Sequence, residues 1–177
     1  MNVKETEVGR QRLYSGRILD LDKVTVTLPN GKEAEREVVM HKGATAVIAV
    51  DENGRVPMVS QYRIAINEET LEIPAGKYDH VGEDPLECAV RELREETGLT
   101  AASMEKLCVI DTTPGFTSEK ITLFLARGLS LGEANPDDDE FLNVSWHSLD
   151  ELHEKALRGQ ISDSKTLIAV LMAKQLV

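Results

Sequence analysis

The chain has 177 residues, enough for one domain with a real core, and its 41% hydrophobic and 29% charged residues are an ordinary globular mixture, not a disordered one. Its 20 Lys and Arg against 31 Asp and Glu leave a formal charge of −11, which repels nucleic acid and anionic membrane. A phosphate-bearing small molecule would have to be met through a cation, and a divalent metal is the obvious candidate.

The first 40 residues read as short strands. Residues 16–28 carry apolar positions at Ile18, Val24, Val26 and Leu28, alternating most clearly from Val24 onward. Pro29-Asn30-Gly31-Lys32 is a turn signal, and residues 35–40 resume in extended form. Ala44–Val50 is a near-continuous apolar run, the pattern of a strand buried on both faces. Asp51-Glu52-Asn53-Gly54 turns the chain, and residues 56–62 return as the partner strand. After Leu71-Glu72-Ile73-Pro74-Ala75-Gly76 comes the first convincing helix, Pro85–Thr97. Residues 104–110, 121–126 and 143–146 read as further strands, and helices are expected near Leu149–Leu157 and over 165–176. Residues 111–118 and 131–139 are turn-rich loops. The longest apolar run, 167–173, is far shorter than the roughly 18 residues of a membrane span. No secretory pattern opens the chain, and Cys88 and Cys108 form neither a disulfide framework nor a zinc set, so a cytoplasmic protein is expected. Strands in runs, with helices inserted between and after them, predict an α+β fold with a mixed sheet. Residues 1–40 are a candidate separate β unit, and 41–177 the main domain.

Residues 84–98 are unusually well specified. Asp84 fits the N-cap, Pro85 the first helical position, Glu87 the first turn and Gly98 a left-handed C-cap. Leu86, Ala89, Val90, Leu93 and Thr97 recur at helical spacing and are expected to form one buried stripe. At about 100° per residue, Glu92, Glu95 and Glu96 share a separate sector of the last turn. That grouping opposes helix stability, because Glu92 and Glu96 are a like-charge i,i+4 pair and anions near a helix C-terminus oppose the macrodipole. A local conflict inside an otherwise consistent segment marks a functional position. Carboxylates clustered on one helix suit Mg²⁺ or Mn²⁺; the alternative is a solvated acidic face paired with Arg91 and Arg94.

The segment from Glu83 through Arg91-Glu92-Leu93-Arg94-Glu95-Glu96-Thr97-Gly98-Leu99 resembles the Nudix hydrolase box, matching it at eight constrained positions. One departure exists: Gly76 lies seven positions before Glu83 where the pattern has six, so residues 77–82 hold one extra residue. Gln61-Tyr62-Arg63, the segment from Leu71 to Lys77, Thr113-Pro114-Gly115-Phe116-Thr117-Ser118-Glu119-Lys120, and Ile161 to Thr166 are similar to the flanks of ADP-ribose and nucleoside diphosphate sugar pyrophosphatases. The resemblance implies an α/β/α sandwich on a mixed sheet, preceded by an N-terminal antiparallel β unit that pairs two copies and completes the substrate site. It implies a Mg²⁺-dependent hydrolase, with Mn²⁺ as the other candidate, acting on a small nucleotide. Glu92, Glu95 and Glu96, with the Ala75 carbonyl, would hold metal, and Arg91 would hold the glutamates. Arg36, Arg63, Glu72, Phe116 and Glu119 become candidate substrate contacts; Arg36 is equally an ordinary strand arginine, and Phe116 equally a packing residue. Within the acidic run Asn135-Pro136-Asp137-Asp138-Asp139-Glu140, Glu140 is the first candidate for a catalytic base and Asp138 the second. Other nucleotide substrates (a GDP-sugar, a dinucleoside polyphosphate, a modified triphosphate) and a non-catalytic nucleotide sensor are the alternatives. His41, His80, His147 and His153 show no ligand spacing, and Trp146 is expected in a core or an interface.

Overall fold

The structure, a computed structural model, describes residues 2–132 and 142–177. Two units make up the chain: Met1–Gly43 with Asp111–Lys120, and Ala44–Ile110 with Ile121–Val177.

In the first unit, β1 (Thr6–Ser15), β2 (Leu19–Thr27) and β3 (Glu33–His41) form an antiparallel sheet in that order. Gly31, at φ 81°, supplies the left-handed residue of the turn between β2 and β3. Alternation buries Asp22, Val24 and Val26 of β2. Asp22 tolerates burial because Arg10 donates to it at 2.7 Å and Arg12 also binds it. Strand β1 escapes the sequence reading for a physical reason: almost every residue along it is exposed, so it carries no period-two apolar signal. The 113–119 turn belongs to this unit, held by Val39 N–H donating to the Phe116 carbonyl at 2.7 Å and Ser118 N–H to the Val39 carbonyl at 2.9 Å.

The second unit is built on β4 (Ala44–Val50), all seven of whose residues are buried. It contains β5 (Arg55–Arg63), β6 (Glu68–Glu72), β7 (Ala75–Lys77), α1 (Pro85–Thr97), β8 (Leu99–Asp111), β9 (Lys120–Leu131), β10 (Asn143–Ser148), α2 (Leu149–Leu157) and α3 (Ser164–Leu176). One sheet runs β7-β4-β9-β8, with β4 and β9 parallel and β4 and β7 antiparallel. The other runs β10-β5-β6, antiparallel throughout. Because side chains alternate along β4, Ala46, Ile48 and Val50 enter one core with α2 and α3. Val47 and Ala49 enter a second core with Ala89 and Leu93 of α1. The mixed α+β sandwich expected from the sequence is therefore present. Strands β6 and β7 are too short to have announced themselves, and β8 and β9 are longer than the stretches expected.

Two expectations are corrected here. Leu86 and Val90 are exposed rather than part of the buried stripe of α1; its buried residues are Cys88, Ala89, Glu92, Leu93 and Glu96. The helix is rotated so that carboxylates, not those aliphatic groups, meet the strands beneath. Of the two places expected for Trp146, the core is the one excluded: it is partly exposed, with the Arg55 guanidinium 5.2 Å from its ring centroid in a cation–π contact. Among the described residues no helix is long and apolar enough to cross a membrane.

Candidate active site

The site begins with the ends of α1. Asp84 accepts from Leu86 N–H at 2.7 Å, and Gly98, at φ 71°, donates its N–H to the Arg94 carbonyl at 2.8 Å. These caps fix where the last turn falls, and with it Glu92, Glu95 and Glu96. Glu92 and Glu96 are each only 8% exposed, and Glu95 is half-buried. Ala75 N–H donates to Glu96 at 3.2 Å, bringing this carboxylate to the residue whose carbonyl is named from the sequence as a metal contact. Glu92 occupies the space over Gly76: a Cβ built there would lie 1.9 Å from the Glu92 carboxyl carbon. Only glycine leaves room for that carboxylate against β7.

Arg91 binds the acidic groups together. Its Nη1 donates to Glu92 at 2.6 Å and to Glu95 at 3.1 Å. Its Nη2 donates to Glu83 and to the Lys77 carbonyl, both at 3.3 Å, and Asp79 lies 3.7 Å from its Nε. Asp79, Glu83, Glu92 and Glu95 thus meet one guanidinium, a formal excess of three negative charges among these five groups. Burial acts to lower the Arg91 pKa, but the charge and hydrogen bond of Glu92, together with Cys88 and Glu95, outweigh it and raise the value, so the cation persists throughout. The extra residue in 77–82 is accommodated by two anchors. Glu83 accepts from Asp79 N–H at 2.6 Å, and the Tyr78 hydroxyl sits 3.3 Å from Thr122 Oγ1 on β9. Cys88 packs under this loop, where burial pushes its thiol up to about 11. Among the described residues no three His, Cys, Asp or Glu side chains converge as a ready-made cation cage. Glu92 and Glu95 close on Arg91 instead.

A second charged group lies in the same unit. Arg63, at the end of β5, donates from Nε and Nη2 to the two oxygens of Glu72, at 2.7 and 2.6 Å. Thr70 donates to Glu72 at 2.5 Å, and Lys165 also binds it. Burial pushes the Glu72 carboxyl up, yet Arg63 and then Lys165 outweigh it and hold the pKa at about 2. Lys165, Thr70, Asp79 and Glu83 were not assigned site roles from the sequence. For Lys165 a signal existed: it places a cation in the first turn of a helix, against the macrodipole.

The remaining candidates lie in the first unit. Arg36 on β3 is forked onto Glu5, at 2.6 and 3.1 Å. Phe116 is exposed, and Glu119 lies 3.5 Å from His41 Nδ1, a histidine read from the sequence as having no ligand role. Glu140 and Asp138, the candidates for a base, lie outside the described residues.

A strand-backed helix with inward-facing glutamates, capped by glycine and steadied by one arginine, defines a class of hydrolase domain. The NUDIX domain profile matches residues 40–169, and the chain belongs to that family. It is 44% identical over 169 residues to the methanol dehydrogenase activator of Bacillus methanolicus, covering 94% of this chain and 91% of that protein. It is 39% identical over 171 residues to the ADP-ribose pyrophosphatase of Bacillus subtilis, covering 96% and 92%. A crystal structure of an ADP compounds hydrolase superposes with a TM-score of 0.83 at 21% identity, covering 98% of this chain and 94% of that one, and so shares the fold.

Two outcomes are expected from this geometry. Gly76→Ala displaces Glu92, the flexible partner in the clash, so hydrolase turnover falls about 10- to 100-fold while the melting temperature stays near that of the parent; unchanged turnover would show that Glu92 need not sit over β7. Because the Glu72 pKa is depressed from 4.5 to about 2, its pairing contributes fully above pH 4.5 and is lost as pH falls towards 2. Urea titrations across that window should show the parent losing about 3 kcal/mol that Glu72→Gln lacks from the outset; identical pH slopes for the two chains would remove the depressed pKa.

Proposed function

We propose that this chain hydrolyses the pyrophosphate bond of ADP-ribose or a related nucleoside diphosphate sugar, releasing a nucleoside monophosphate and a sugar phosphate. The observation that carries this reading is the buried carboxylate pair, Glu92 and Glu96, against the Ala75–Gly76 backbone, in a chain similar over nearly its whole length to an ADP-ribose pyrophosphatase. Hard oxygen donors in a net-negative setting fit a divalent cation, Mg²⁺ or Mn²⁺, held by Glu92, Glu95, Glu96 and the Ala75 carbonyl. When bound, it would neutralise the diphosphate and acidify a coordinated water.

The protein's own part is positioning. Arg91 keeps Glu92 and Glu95 at fixed spacing, an outer role of the kind that orients metal ligands. Arg63, with Nε and Nη2 on Glu72, offers the rest of its half-exposed guanidinium to an anionic group of the substrate. Glu72 serves the substrate through Arg63, since both its oxygens are engaged. Arg36 contacts a phosphate or ribose, Phe116 stacks on the base, Glu119 binds substrate, and Glu140 activates or positions water. Cytoplasm is the compartment we assign, supported by two free cysteines.

Purified protein incubated with ADP-ribose and Mg²⁺ should yield AMP and ribose 5-phosphate by chromatography. Glu96→Gln should lower that rate by about a hundredfold or more, with an unchanged circular dichroism spectrum. No AMP from the parent, or full rates in the variant, would overturn the reading. The relative named as a methanol dehydrogenase activator supports a second reading, in which this chain modulates a dehydrogenase. Stimulation that survives intact in Glu96→Gln would favour it. The N-terminal unit, we further propose, pairs two copies: Val8, Leu13 and Tyr14 of β1 are exposed apolar groups on a strand buried on neither face. Light scattering should give the mass of two chains, and Leu13→Glu/Tyr14→Glu should halve it; a monomeric parent would end the proposal.

A further inference from the structure

The buried ends of α3 and β6 hold a charge arrangement that stability alone does not explain. Lys165 is 7% exposed and sits in the first turn of α3, two residues after the N-cap Asp163. A cation there opposes the helix macrodipole, and burying an ammonium costs several kcal/mol unless it is well paired. Lys165 donates to Asp163 at 2.9 Å and also binds Glu72 Oε2. Glu72 in turn has no spare capacity. Its Oε1 accepts from Arg63 Nε and Thr70 Oγ1, and its Oε2 accepts from Arg63 Nη2 and Lys165 Nζ. The same turn of α3 holds the neighbouring backbone: Thr166 Oγ1 accepts from Ile73 N–H at 2.8 Å, while Asp163 accepts from Thr166 N–H at 3.0 Å.

Arg63 differs from its two partners in being half-exposed, its side chain at 43% against 5% for Glu72 and 8% for Lys165. Its Nη1 makes no hydrogen bond among the described residues. One end of this chain of charges is therefore sealed in the protein, and the other is presented.

We propose that Lys165 is a positioning residue for substrate binding, acting through Glu72 to hold the Arg63 guanidinium in one bidentate orientation. This rests on the proposed role of Arg63 in gripping an anionic substrate group. Without the ammonium, a buried carboxylate facing a single half-exposed guanidinium is under-compensated; it takes up a proton or turns towards solvent, and the fork on Arg63 opens. The outer torsions of Arg63 are then free, and their ordering is charged to substrate binding instead of to folding.

The first test is spectroscopic and needs no substrate. In ¹H–¹⁵N spectra of the arginine Nε–H region, assigned by Arg63→Lys, the parent should give a sharp, slowly exchanging Arg63 resonance. In Lys165→Met that resonance should broaden or exchange rapidly. The second test is kinetic, with ADP-ribose. Lys165→Met should raise KM about tenfold while kcat changes less than about threefold, the pattern of lost uniform binding. Added to Arg63→Ala, it should raise KM no further, because the two act through one contact. Lys165→Gln, which keeps a donor towards Glu72, should lie between parent and Lys165→Met and serves if the latter does not fold. An unchanged Arg63 resonance, or KM effects that multiply in the double variant, would overturn the proposal. If the parent does not cleave ADP-ribose, the proposed function fails on its own, and the spectra still decide the role of Lys165.

Discussion

Glutamates placed side by side on the inward face of a helix repel one another, and that repulsion is the constraint around which the second unit is arranged. Arg91 answers it by spanning Glu92 and Glu95 with one nitrogen and reaching Glu83 with another. The backbone answers it too, through the Ala75 N–H on Glu96 and the bare α-carbon of Gly76 beneath Glu92. Neither is a device for stability, since a leucine pair would have packed the same face at lower cost. Acidic oxygens held close together, close to strand backbone and close to a single fixed cation, suit the doubly charged ion proposed for this site.

A similar logic governs the group around Glu72. Two cations and a hydroxyl share one carboxylate, and the outcome is an anion that persists far into acid. Both groups lie at the ends of elements that rest on the same two layers, so the rigid sheets set the spacing of polar side chains that are themselves costly to bury. The strand ends and the first and last turns of helices hold these charged groups, and the strand centres carry the packing.

Much of this was legible in the sequence, for reasons that can be named. The apolar run of β4, the caps of α1 and the spacing of its glutamates are short-range signals, and each appears where it was expected. The orientation of α1 was not legible. Leu86 and Val90 carry the right periodicity, yet they remain exposed, because the helix docks by a face on which two carboxylates take part. A hydrophobic pattern ranks residues by transfer energy, whereas the docking reflects where charge is compensated, and that depends on the distant β7 and on residues 79–83. The partnership of Glu72 with Lys165 spans 93 positions, and no local pattern encodes it. Strand β1 was invisible for the opposite reason: it forms through backbone pairing to β2 and buries almost nothing.

Strand β4 has a further implication. It is paired on both edges and covered on both faces, with alternate residues serving two separate cores. Its amides should be among the last to exchange with deuterated solvent, in the slowest cooperative block of the molecule. A methyl group added or removed at Val47 would shift the bed beneath the glutamate helix, and one at Ile48 the bed beneath α3. A single segment seven residues long thus couples the tolerances of two sites on opposite sides of one sheet, and drift in either core during evolution would have to be matched along the same strand.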